Sequence, residues 1–170
     1  MRIAMKVFAL ILVAGLAGCA REATPAPGKE SAAPIAAVQQ GADLGLPLVV
    51  VYKSPTCGCC EKWIGHMQGA GFPVEVREME DLSAVRAEAG MPAGLESCHM
   101  ARIGNYFVEG HVPAEDVKRL LADRPDARGL AVPGMPQGSP GMEQGNAPQP
   151  YDVLLIARDG STSVYAHHGE

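Results

Sequence analysis

What most constrains the fold is a continuous apolar run, Leu46-Pro47-Leu48-Val49-Val50-Val51-Tyr52, that leads within a few residues to Cys57-Gly58-Cys59-Cys60. A run that does not alternate marks a strand covered on both faces of a sheet, and this one is expected to be the central strand. Ser54-Pro55-Thr56 turns the chain. From Cys60 onward the apolar residues Trp63, Ile64 and Met67 recur at i+3, i+4 and i+7, which predicts a helix with one buried face, stopping near Gly69 and Gly71. Trp63 and Met67 are therefore core residues. The three cysteines fall where a buried strand hands over to a helix N-terminus.

The next segments follow the same logic. Phe72-Pro73-Val74-Glu75-Val76-Arg77 alternates as a second strand, and Asp81 is placed to cap a second helix through Leu82, Val85 and Ala89, ended by Gly90 and Pro92. Met100 to Ile103 and Tyr106 to Val108 read as two short strands joined at Gly104-Asn105. Pro113 opens a third helix with Glu115 and Asp116 in its first turn, a buried stripe of Val117, Leu120 and Leu121, and a stop at Arg124-Pro125. Gly129 to Pro150 is dominated by Gly, Pro, Met and Gln and is read as one long loop. It is expected to fold back near the cysteines, with Met135 and Met142 as anchors. Tyr151 to Tyr165 reads as a hairpin around Asp159-Gly160, followed by His167-His168 at a chain end where disorder is the default.

Strand, helix, strand, helix, strand, strand, helix, with a Cys-x-x-Cys at the first helix N-terminus, predicts an α/β thioredoxin-like fold with an extra C-terminal β-hairpin and a long Pro/Gly/Met loop. In thioredoxins and glutaredoxins a cis-proline precedes the third strand; the register puts His99 in that place.

The N-terminus has a different character. Arg2 and Lys6 precede an apolar run from Val7 to Leu16, the layout of a secretory signal and too short to span a bilayer. Leu16-Ala17-Gly18-Cys19 matches a bacterial lipobox, so Cys19 is expected to be acylated and to become the first mature residue. Ala20 to Gly45, rich in Ala, Pro, Glu and Gln without an apolar period, reads as a disordered tether. The expected organisation is a signal peptide over 1–18, a lipidated tether over 19–45 and one metal-binding domain over 46–170. The expected location is the periplasmic side of the envelope, lipid-anchored, with the outer membrane favoured because Ala20 rather than aspartate follows the cysteine. Net charge is −5 and becomes more negative without Arg2 and Lys6, which argues against nucleic acid as a partner.

With Cys19 assigned to lipid, four of the five cysteines remain for chemistry. Unpaired N–H groups at a helix N-terminus favour thiolates, the form that binds metal. Cys57, Cys59 and Cys60 on one turn suit Cu(I) or Zn(II) rather than Mg, Ca or Mn, and neighbouring thiolates can bridge ions into a multinuclear cluster. Cys98-His99 is expected to face them, with His111 as a further candidate ligand. Two disulfides among the four are disfavoured by crowding. His66 falls on the polar face of the first helix and is read as solvated; the terminal pair His167-His168 is a candidate for Cu(II) or nickel. The rival reading is a membrane-tethered thiol:disulfide oxidoreductase with Cys57 as nucleophile and Cys60 as resolving thiol, against which the missing cis-proline speaks. No phosphate-binding glycine loop, zincin pair or Ser-His-Asp context is present, and no catalytic residue is assigned.

Several long stretches also resemble one family. They are Cys57-Gly58-Cys59-Cys60 with Trp63; Ser97-Cys98-His99; Val108-Glu109-Gly110-His111-Val112-Pro113-Ala114; and Gly129-Leu130-Ala131-Val132-Pro133-Gly134-Met135-Pro136 with Gly138-Ser139-Pro140-Gly141-Met142-Glu143. Together they resemble the CopG-like metal-binding proteins of bacterial copper-resistance clusters, a thioredoxin-fold group long known only as a domain of unknown function. The resemblance spans nearly all of Leu46 to Val164. It implies copper binding through cysteine and histidine in the periplasm, as part of tolerance to excess copper, alongside other periplasmic copper-handling proteins. Met100 stands where a threonine is common in the family, a departure that leaves the ligands in place.

Overall fold

The computed structural model describes residues 45–143, 145 and 147–169; the expected signal peptide, the Cys19 lipidation site and the tether up to residue 44 lie outside the described residues. The described chain is mixed α/β. Its elements in order are β1 (Val49–Lys53), α1 (Gly58–Gly69), β2 (Val74–Glu78), α2 (Ser83–Ala89), β3 (His99–Ile103), β4 (Tyr106–Glu109), α3 (Ala114–Asp123), β5 (Ala127–Ala131), β6 (Tyr151–Ala157) and β7 (Thr162–His168). The strands form one seven-stranded sheet in the order β2-β1-β3-β4-β5-β6-β7. No helix among the described residues is long and apolar enough to cross a membrane.

Alternation along the inner strands divides the core into two layers. Val49 and Val51 of β1, Ala101 and Ile103 of β3, and Val108 of β4 point to one face, where Trp63, Ile64 and Met67 of α1 and Val117 and Leu120 of α3 pack on them. Tyr52, Met100 and Phe107, one residue out of step, point to the other face and meet Leu82, Val85 and Ala89 at α2. Both core assignments made for α1 hold: Trp63 and Met67 are fully buried. Truncating Trp63 to alanine would cost about 3–5 kcal/mol by the usual figures for buried aromatics.

Three expectations need correction. The middle strand is β4, not β1, because β5, β6 and β7 extend the sheet beyond β4. The reading of Gly129 to Pro150 as loop missed β5, which runs parallel to β4 with Phe107 opposite Gly129. Arg128 and Gly129 hide that strand from propensity, yet the glycine is what permits it: a Cβ at Gly129 would collide with the Phe107 carbonyl. The loop proper begins after Ala131. At the C-terminus β7 continues through His168 instead of fraying.

Register then sets the site. β1 and β3 are antiparallel, with Tyr52 opposite Met100 and Lys53 opposite His99. The chain leaving β1 toward Cys57 therefore lies beside the chain entering β3 from Cys98. β3 and β4 are antiparallel with Met100 opposite Glu109, so the residues just after β4, Gly110 and His111, arrive at the same end of the sheet.

Candidate metal centre

Cys57 occupies the N-cap of α1 in an extended conformation, and Cys59 and Cys60 follow in the first turn. Cys57 and Cys60 form a disulfide with Cα atoms 5.4 Å apart, while Cys59 and Cys98 are free. Crowding, taken from sequence as an argument against disulfides, does not apply to this outer pair, because one helical turn brings its Cα atoms into the 4.4–6.8 Å range usual for such bonds. Cys59 Sγ lies 3.5 Å from Cys57 Sγ, and Cys98 Sγ lies 3.7 Å from Cys59 Sγ and 3.5 Å from Cys60 Sγ. All four sulfurs fall within 4.8 Å of one another.

A second group shares one of these sulfurs. Cys98 Sγ, His99 and His111 also offer ligand atoms within 4.8 Å of one another. His111 Nε2 is 3.0 Å from Cys98 Sγ, and its Nδ1 is 2.8 Å from the Pro140 carbonyl. A carbonyl only accepts, so Nδ1 carries the proton and the Nε2 lone pair faces the thiol. That is the arrangement by which metal-ligating histidines are oriented. His99 Nδ1 lies 3.4 Å from Cys98 Sγ, and its ring packs 4.4 Å from Trp63 and edge-on to His111 at 5.0 Å. His99 Nε2 is buried without a hydrogen-bond partner among the described residues. Leaving such an atom unsatisfied typically costs about 1–3 kcal/mol.

Burial governs the protonation of this group. It lowers the pKa of His99 well below the ordinary 6.5, with His111 and Arg86 adding to the effect, and it lowers that of His111, so both rings are neutral and able to donate lone pairs. The Cys98 thiol is pushed up to about 12, first by burial and then by Cys59. The expectation of thiolates favoured by a helix N-terminus thus does not extend to Cys98, which sits before a strand. Without metal its proton is retained and directed at His111 Nε2; an ion bound there takes the proton's place.

The loop after β5 closes over the first turn of α1. A Cβ on Gly141, whose φ is +88°, would come within 2.8 Å of the Cys59 carbonyl and 2.9 Å of the Trp63 amide. Met142 is buried, whereas Met135 is 52% exposed. The expected fold-back therefore holds for the segment around Pro140 to Met142. His66, read from sequence as solvated, instead accepts the Ala114 N–H at 3.0 Å and satisfies an orphan donor at the start of α3. His167 and His168 are not at the centre: they pair with Asp152 and Asp116 respectively. Sequence reasoning missed the Pro140 carbonyl altogether, since no side-chain pattern announces a backbone acceptor.

Two solved structures, both described as copper resistance protein CopG (form 1 and form 2), resemble this chain throughout their length. They are 43% and 44% identical to it, superpose with a TM-score of 0.69 each, and are matched over 99% and 98% of their own chains, or 74% and 72% of this one. The chain belongs to the CopG family. A family model described as protein of unknown function, DUF411, matches residues 95–142, the stretch that carries Cys98, His99, His111 and the covering loop. No curated protein matches the chain. Within this CopG-family chain the DUF411 stretch supplies the Cys98-His99-His111 half of the cluster, while the N-cap and first turn of α1 supply the other three cysteines from outside it.

Proposed function

We propose that this CopG-family protein sequesters copper as Cu(I), or handles its redox state, at a centre built from Cys57, Cys59, Cys60, Cys98, His99 and His111, contributing to copper resistance. The observation that carries the reading is Cys98, whose sulfur belongs to both ligand groups. A thiolate shared in this way is placed to bridge ions, which supports a multinuclear cluster, and the soft sulfur and imidazole donors suit Cu(I). The solved relatives named as copper resistance proteins support the choice of metal. With the Cys57–Cys60 disulfide formed, two of the four sulfurs are withdrawn, so reduction sets the capacity of the site. In competition titrations the anaerobically reduced protein is expected to take up more than one Cu(I) per chain and to release zinc to it, and the oxidised protein to bind less. Zinc retained against stoichiometric Cu(I) would refute the copper assignment.

A second reading, thiol:disulfide exchange through Cys57 and Cys60, is favoured by that same disulfide. Exchange needs only the outer pair, so Cys59→Ser should leave it intact while lowering copper content. Full copper binding in Cys59→Ser and Cys98→Ser, with a measurable exchange that depends only on Cys57 and Cys60, would make exchange the function. We further infer a thioredoxin-like fold, supported by the β1–α1–β2–α2–β3–β4–α3 order and the sheet order β2-β1-β3-β4. Attachment to the periplasmic side of a membrane through Cys19 rests on the lipobox; Cys19→Ser should release the protein or leave it unprocessed, as fractionation would report.

A further inference from the structure

We infer that Arg86 and Glu109 form a positioning pair for the metal centre, gripping the peptide that carries Cys98. The inference builds on the copper reading above. The Glu109 side chain is fully buried at the end of β4. Its carboxylate accepts from Arg86 Nη2 at 2.6 Å, from Arg86 Nε at 3.2 Å and from the Ser97 amide at 2.7 Å. Arg86 Nη2 also donates to the Ser97 carbonyl at 2.7 Å. Both backbone polar groups of Ser97, the residue immediately before Cys98, are thus held by the two members of one ion pair.

The neighbours of Glu109 continue the hold. The Gly110 amide donates to the His99 carbonyl at 2.9 Å, and His111 Nε2 meets Cys98 Sγ at 3.0 Å. Three successive residues, Glu109 at the end of β4 with Gly110 and His111 beyond it, therefore fix Ser97, His99 and Cys98. The fit is close: Gly110 has φ +72°, and a Cβ there would lie 2.5 Å from the Val132 carbonyl and 2.7 Å from Ser97 Cβ. Arg86 comes from α2, on the sheet face opposite α1, so the pair ties that helix to the centre. Stability alone does not account for such a pair, because replacing a buried ion pair by packed apolar residues is often neutral or stabilising. What apolar residues cannot do is hold an amide and a carbonyl in fixed directions. A ligand-bearing peptide needs that hold, since a small misplacement of one donor weakens a metal site.

The test is the paired substitution Arg86→Met with Glu109→Leu in the reduced full chain. The variant is expected to keep cooperative melting yet bind Cu(I) about 10–100-fold more weakly in chelator competition, with altered copper–thiolate absorption. In the metal-free reduced protein, iodoacetamide should alkylate its Cys98 faster than wild-type Cys98. A purely structural role predicts instead that a stable double variant recovers wild-type affinity, spectrum and alkylation, and that result overturns the proposal. If the double variant does not fold, Glu109→Gln, which keeps size but removes the ion pair and turns one of the two oxygens facing Arg86 into a donor, so loosening the Arg86 side of the grip, is read in the same way, and unchanged values there overturn it. A wild-type protein that binds no copper would refute the copper reading, and the Cys98 alkylation rates would then decide the positioning role alone.

Discussion

Cys98-His99 and His167-His168 are both adjacent pairs of metal-type residues, yet one converges on a shared point and the other splits. Cys98 lies in a bend just before β3, outside the pleat, so its sulfur and the His99 ring come within 3.4 Å. His167 and His168 both lie inside β7, where successive side chains project to opposite faces. His167 Nδ1 meets Asp152 on the neighbouring strand at 2.6 Å, and His168 Nε2 meets Asp116 of α3 at 2.6 Å while its ring stacks on Tyr151. Each terminal ring is satisfied by its own carboxylate; buried His99 Nε2 has no partner among the described residues. Adjacency in sequence becomes a cluster of donors only where the backbone leaves the strand and other segments bring further donors to meet it.

The largest expected effect follows from Cys98 standing in both ligand groups. Cys98→Ser should weaken Cu(I) binding by more than about tenfold and reduce the number of ions held, a larger loss than His99→Ala produces. Chelator competition with metal counting on reduced protein checks it. A Cys98→Ser protein with wild-type stoichiometry would break the contrast, since the shared sulfur would then be dispensable.

An intermediate effect is expected from acid. His99 and His111 have folded pKa values below 6.5, so as pH falls below about 6.5 the unfolded chain takes up two protons that the folded chain refuses. Their stabilising contribution is complete above that pH and is lost as pH falls toward their folded values. Glu109 works in the opposite sense, because burial raises its pKa from 4.5, but one carboxyl offsets at most one of the two protons. The metal-free protein should therefore lose roughly 1 kcal/mol per pH unit near pH 5.5, measured by urea unfolding. A His99→Gln variant should show a shallower slope; an identical slope would mean the buried rings do not control it.

Legibility in the sequence followed the same divide. Helical spacing of Trp63, Ile64 and Met67, and the β-branched run before Cys57, carried α1 and β1, because burial of one face or two leaves a period in the residues themselves. Cys98 and His99 were legible from residue type. β5 was not, since Arg128 and Gly129 answer to a close backbone approach at Phe107 that only the paired strand reveals. The roles of Pro140, Arg86 and Glu109 were also hidden: a carbonyl has no signature, and an arginine on α2 and a glutamate on β4 stand 23 residues apart. His66 looked solvated on helical phase alone because the amide it accepts belongs to a helix 48 residues further on.

The smallest effect is expected at the terminal pair. His167 is 67% exposed and its partner Asp152 45%, so His167→Ala should cost no more than the 0–1 kcal/mol typical of exposed pairs. His168→Ala should cost slightly more, about 1 kcal/mol, because it removes a partly buried contact to Asp116 and the stack on Tyr151. Asp116 keeps Arg119 at 3.1 Å, which limits the loss to the end of β7 rather than unseating α3. Neither substitution reaches a ligand of the centre, so neither should change Cu(I) affinity in the reduced protein. Urea unfolding and chelator competition on the two variants separate the quantities. If either lowered tightly bound copper as far as His99→Ala does, the C-terminal strand would belong to the site, and the difference between converging and splitting pairs would have to be abandoned.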